Sequence, residues 1–182
     1  MLLTHQMRKS QMQIGEVDFY TATIYRWKKL LALDKYKQCI ISSLEWLCQR
    51  DKIRVYGFVI MPNHIHLIWE MLGPNGKELP DASFTKFTSH RFLQDIRVNH
   101  PHILHFFEVE MPNRNYHFWQ RDSLAVNMYN QAVCQQKLDY LHPLQERWNL
   151  AQRPEEYTWS SACFYETGVD SYGFLTHYLE RF

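Results

Sequence analysis

Two histidines one residue apart carry the most specific chemistry in this sequence. They lie in Tyr56-Gly57-Phe58-Val59-Ile60-Met61-Pro62-Asn63-His64-Ile65-His66-Leu67-Ile68-Trp69-Glu70. Two apolar, β-rich runs there flank the turn-forming pair Pro62-Asn63, the pattern of a hairpin. Side chains alternate faces along a strand, so His64, His66, Ile68 and Glu70 point one way and Ile65, Leu67, Trp69 and Met71 the other. The turn fixes the register and sets two imidazoles side by side. Neutral imidazole is a good nitrogen ligand, so the pair suits a divalent metal. The plainer alternative is two polar residues on a half-buried sheet face.

As a string, GFVIMPNHIHLIWE closely resembles the histidine–apolar–histidine motif of the HUH nucleases. Within them it is most similar to the single-tyrosine transposases of the REP-associated, insertion-sequence-200-like branch. A second stretch, QKLDYLHPLQERWNLAQRPEEYTWSSACFYE, resembles that family's Lys-x-x-Tyr-Ile-His segment and its Pro-x-x-Tyr-x-Trp-Ser-Ser tail. Lys137, Tyr140, His142, Pro143, Pro154, Tyr157, Trp159, Ser160 and Ser161 match the pattern.

The resemblance implies an enzyme that nicks and rejoins single-stranded, hairpin-bearing DNA. Tyr140 would be the nucleophile and His64 and His66 the ligands of a divalent cation, Mg²⁺ or Mn²⁺. Lys137, one helical turn before Tyr140, could steady the phosphate or the phenolate; its plain alternative is a solvated helix lysine. One departure stands out. The family carries an asparagine four residues after the tyrosine, which looks like a third metal ligand, whereas position 144 here is Leu. Gln145 or His142 could substitute; otherwise two imidazoles and water complete the site. Pro143 also disfavours helix in the residue before it. The competing readings are a relative that grips DNA hairpins without cutting and an unrelated metal-dependent hydrolase. The motif around Tyr140 argues against the hydrolase.

Composition bounds these readings. A chain of 182 residues, 46% hydrophobic, suits one folded domain (1–182). Lys plus Arg is 20 against 19 Asp plus Glu, a formal charge of +1, so any basic surface for nucleic acid must be local. No Cys-x-x-Cys pair occurs among Cys39, Cys48, Cys134 and Cys163, which indicates neither a zinc knuckle nor a redox motif. Reduced thiols, no signal peptide and no membrane-spanning run fit a cytoplasmic protein. A homodimer is compatible with all of this.

The supporting elements follow from periodicity. Residues 1 to about 17 read as a loose arm, and 19–25 as a first strand. A helix is expected from an N-cap at Asp34 to about residue 50, with Tyr36, Ile40, Leu44 and Leu47 facing the core. A second helix should span 83–98, anchored by Phe84 and Phe87, with Lys86, His90 and Arg97 on one stripe. That stripe is either a solvated face or a rail for a phosphate backbone. Residues 105–110 read as a further strand. A third helix should run from about 123 or 130 to 141, with Tyr129, Val133, Gln136 and Tyr140 on one face. The order strand-helix-strand-strand-helix-strand predicts an α+β fold, an antiparallel sheet with helices mainly on one face. The resemblance implies the ferredoxin-like version. Trp119, Tyr157, Trp159 and Phe164 either pack the core or stack on unpaired bases; residues from about 150 to 182 form a tail against the domain.

Overall fold

A computed structural model describes residues 12–121 and 123–182. Its elements are β1 (Val17–Thr23), α1 (Asp34–Cys48), β2 (Ile53–Ile60), β3 (His64–Met71), α2 (Pro80–Asn99), β4 (Glu108–Met111), β5 (Arg114–Tyr116), β6 (Leu124–Asn127), α3 (Gln131–Leu141), α4 (Leu144–Arg147) and α5 (Ala162–Thr167). Four strands form one antiparallel sheet in the order β2-β3-β1-β6, while β4 and β5 pair as a separate hairpin. The fold is therefore α+β, as the element pattern predicts.

The expected central hairpin is present. Ile60 pairs with Ile65, and the Met61 N–H donates to His64 O at 2.8 Å across the Pro62-Asn63 turn. Strand alternation then separates two cores. Tyr20, Ala22, Ile24, Ile65, Leu67 and Trp69 face α1 and α2, joined by Tyr36, Ile40, Leu44, Leu47, Phe84, Phe92 and Ile96. On the opposite face Phe19, Val59 and Ile68 pack with Cys134, Leu138 and Leu141 of α3 and with Leu144, Tyr157 and Tyr178. Helices thus cover both faces rather than mainly one. Every residue of β3 is buried, as expected for a strand enclosed on two sides.

Other expectations shift in detail. The strand pairing beside β1 is β6, only four residues long and too short to show a pattern; the 105–110 segment instead is a 3-10 turn (Pro101–Phe107) leading into β4. Leu33 is the N-cap of α1, and Asp34 is its first residue, paired with Lys37 at 2.7 Å. Phe84 anchors α2, but Phe87 is 48% exposed and Phe92 takes its place. Residues 1–11 of the expected arm lie outside the described residues. Residues 12–17 are not loose: Ile14 bridges to Met71, and the Gly15 N–H donates to Met71 O at 2.8 Å.

The C-terminal tail closes the β2 edge. Ile60 N–H donates to Trp159 O (2.9 Å), Ser161 N–H to Phe58 O (2.9 Å) and Thr176 N–H to Val55 O (2.9 Å). The Tyr157 hydroxyl donates to Ile60 O at 2.7 Å. An edge strand otherwise presents unpaired backbone groups to other chains. Tyr157 and Trp159 therefore serve packing, and Phe164 sits among Tyr165 and His177 of the same tail.

Candidate active site

His64 and His66 project from β3 toward α3, their ring centres 4.9 Å apart. Both are buried, each 8% exposed. The Asn63 side-chain oxygen accepts from His64 Nδ1 at 2.7 Å, which fixes the tautomer and leaves the Nε2 lone pair free. Thr21, directly across from His66 in the sheet, sets its hydroxyl 2.8 Å from His66 Nδ1 and can accept that proton in the same way. Burial lowers the His64 pKa to about 4. Burial, then the charges of His64 and Lys137, lowers His66 to about 3. Both rings are accordingly neutral through the physiological range, the protonation state that a metal requires.

The nucleophile candidate arrives from α3. Asn130 caps this helix by accepting from Val133 N at 2.9 Å. Its buried stripe is Cys134, Leu138 and Leu141. The stripe through Tyr129, Val133, Gln136 and Tyr140 turns toward the surface, with Tyr129 74% and Tyr140 44% exposed. The helix approaches closely because β2 has Gly57 beneath it: a Cβ there would meet Leu138 Cδ2 at 2.8 Å. The result is an aromatic triad. Phe19 stacks on His66 (5.2 Å), and the Tyr140 ring stands edge-on to both, 6.1 Å from His66 and 6.2 Å from Phe19. The Lys137 ammonium lies 5.1 Å from the Phe19 ring centre and 5.9 Å from that of Tyr140.

The remaining residues singled out in the sequence have contacts of their own. The His142 Nε2 lies 3.2 Å from the Ser161 hydroxyl, so this ring joins the tail. Gln145 is fully buried; its amide donates to Pro154 O at 3.0 Å, and its Oε1 has no hydrogen-bond partner among the described residues. Among the described residues no three His, Cys, Asp or Glu side chains cluster as a metal site. Trp119 belongs to the core and not to a DNA surface: it is 4% exposed, packs on Phe84 and Phe92, and donates its indole N–H to Thr88 at 3.0 Å. Lys86, His90 and Arg97 are exposed on α2, across the sheet from the histidines. Lys86 pairs with Glu78 at 2.6 Å, and Arg97 sits 5.5 Å over the Tyr116 ring.

Sequence reasoning passed over several neighbours of the imidazoles. Thr21 and Phe19 sit on a strand with no motif of its own, and only cross-strand register reveals them. Two exposed tryptophans also reach His64, Trp27 at 6.3 Å and Trp148 at 5.7 Å. The signal for Trp27 was the run Arg26-Trp27-Lys28-Lys29, an aromatic residue among cations.

The chain is similar in structure to a REP-associated tyrosine transposase bound to a REP hairpin, with a TM-score of 0.60 over 92% of this chain and 89% of that one, at 15% identity. A candidate transposase from Deinococcus radiodurans R1 aligns with a TM-score of 0.40 at 13% identity, over 74% of this chain and 95% of that one. No protein-family model and no curated protein matches the sequence. No helix among the described residues is long and apolar enough to cross a membrane.

Proposed function

We propose that this chain is a single-domain HUH enzyme of the REP-associated tyrosine transposase kind, nicking and rejoining single-stranded, hairpin-bearing DNA. The observation that carries this reading is the Tyr140 ring standing 6.1 Å from the ring of His66, one of two buried imidazoles whose Nδ1 atoms each lie within hydrogen-bond distance of a side-chain oxygen. The order β2-β3-β1-β6, with α1 and α2 as crossovers, supports a ferredoxin-like assignment.

The Tyr140 hydroxyl oxygen bonds to phosphorus while the bond from phosphorus to the preceding 3′ oxygen breaks. The products are a 5′-phosphotyrosine and a 3′-hydroxyl, which takes up the phenolic proton through solvent. Attack by a 3′-hydroxyl on the phosphotyrosine reverses the step and joins strands. Lys137 offers positive charge to the phosphate or phenolate. His64 and His66 would hold a divalent cation, with the unpartnered Gln145 Oε1 as candidate third donor; when bound, it would neutralise a non-bridging phosphate oxygen. The stripe Lys86, His90 and Arg97 is a further candidate backbone contact.

The test is incubation of the protein with a single-stranded hairpin oligonucleotide and Mg²⁺ or Mn²⁺. Cleavage that requires Tyr140, His64 and His66 is expected; cleavage that survives Tyr140→Phe overturns the reading. Binding of hairpins without cutting is the second reading, favoured by there being, among the described residues, no third His, Cys, Asp or Glu grouped with the imidazoles.

A further inference from the structure

Trp27 is 61% exposed and Trp148 42% exposed, and both stand edge-on to the buried His64 ring. Large aromatic side chains in water beside a polar site contribute little to the core. The backbone holding Trp27 is unusual as well. Arg26 (φ 53°) and Trp27 (φ 56°) are consecutive non-glycine residues in the left-handed region, which L-residues seldom adopt. The turn is pinned at its start by Ile24 N–H donating to Asn63 O and Tyr25 N–H donating to Phe118 O, both at 2.8 Å. Asn63 also orients His64, so one residue fixes both the imidazole and the turn that carries Trp27. Arg26 and Lys29, which flank Trp27 in the sequence, are exposed. Beyond the turn a groove of about 1050 Å³ opens, lined by Tyr25, Arg26, His117, Gln120 and Arg121 among others.

We infer that Trp27 and Trp148 form a stacking platform for unpaired nucleobases next to the phosphate at the histidine pair, with Arg26 and Lys29 contacting the adjoining backbone. This rests on the nucleic-acid reading above and names the residues that select single strands. Every base has a π-face, so such a platform distinguishes unpaired from paired bases with little regard to sequence. A duplex keeps its bases stacked on one another and cannot offer them to the indoles.

The test compares wild type with Trp27→Ala/Trp148→Ala and Trp27→Phe/Trp148→Phe, using a fluorescein-labelled, unstructured single-stranded oligonucleotide and its full duplex as probes. All three proteins are checked for native circular dichroism. The alanine pair should bind the single strand at least roughly tenfold more weakly, since two stacked bases are lost, while duplex affinity changes by less than about threefold. The phenylalanine pair, which keeps two rings, should recover most of the loss. Equal single-strand affinity in wild type and the alanine pair overturns the inference, as does an equal loss on both probes. Covalent capture at Tyr140 is scored separately. A wild type that binds through the indoles but forms no adduct refutes the nuclease reading alone; an adduct with unchanged binding in the alanine pair refutes the platform alone.

Discussion

At the scale of single residues, the two imidazoles depend on the groups behind them. A ligating histidine donates its second ring proton to an acceptor, and loss of that acceptor typically weakens metal affinity by about 10–100-fold. Asn63→Ala and Thr21→Val should therefore each weaken Mn²⁺ binding within that range, measured by calorimetry; undiminished affinity in both would show that the rings are oriented by other means. Mn²⁺ should bind more tightly than Mg²⁺, because nitrogen donors suit the softer ion. A different residue contributes its own pH dependence to stability. Asp18 is 2% exposed, its Oδ1 has no partner among the described residues, and burial followed by the charge of Glu16 raises its pKa from 3.8 to about 6. The folded state holds this proton up to about pH 6, whereas the unfolded chain releases it near 3.8. The destabilisation is thus absent below about pH 4, grows between the two values and is complete above pH 6. Asp18→Asn should accordingly be more stable than wild type by about 1–2 kcal/mol at pH 7 and no more stable at pH 4, as read from urea unfolding at each pH.

At the scale of elements, α3 sets the distance from Tyr140 to the imidazoles, and Gly57 sets the height of α3. Gly57→Val would drive a branched side chain into Leu138, which already lies 2.8 Å from an added Cβ. We expect a stability loss of about 1–3 kcal/mol and a fall in strand cleavage larger than the fall in metal affinity, because the helix moves while β3 does not. Equal losses in cleavage and metal binding would mean that the sheet itself had deformed. This level also explains what could be read in advance. The hairpin around Pro62-Asn63 and the buried stripe Tyr36, Ile40, Leu44 and Leu47 of α1 were legible because each is a long, strictly periodic pattern. The four-residue β6 was not, since so short a run has no period, and its place beside β1 is decided by β1 having a free edge. The placement of α3 across the sheet from α1 and α2 was equally hidden. It depends on Phe19, Val59 and Ile68, from three different strands, forming an apolar patch on the second face of the sheet. Phe87, expected as an anchor, is exposed, and Trp119, open between packing and stacking, is core, for a similar reason: exposure of an aromatic residue is settled by tertiary packing, not by its type.

At the scale of the whole molecule, a formal charge of +1 means that nucleic-acid affinity must come from local surfaces. Of the stripe Lys86, His90 and Arg97 and the turn Arg26-Trp27-Lys28-Lys29, it is the turn that adjoins the imidazoles, through Trp27. Charge reversal by Arg26→Glu/Lys29→Glu should therefore reduce single-strand affinity and flatten its salt dependence by roughly one unit of slope per lost phosphate contact. Lys86→Glu/Arg97→Glu should have the smaller effect in the same fluorescence titration at several salt concentrations; the reverse order would move the binding track to α2. The central claim, that Tyr140 is the nucleophile of strand cleavage beside a histidine-held cation, is tested most directly by mass spectrometry of the protein after incubation with a single-stranded hairpin oligonucleotide and Mn²⁺. The account predicts a covalent adduct with the 5′-phosphorylated fragment, mapped to the peptide carrying Tyr140 and absent from Tyr140→Phe and from His64→Ala/His66→Ala. Cleavage without any adduct, or an adduct mapped to another tyrosine, would contradict it.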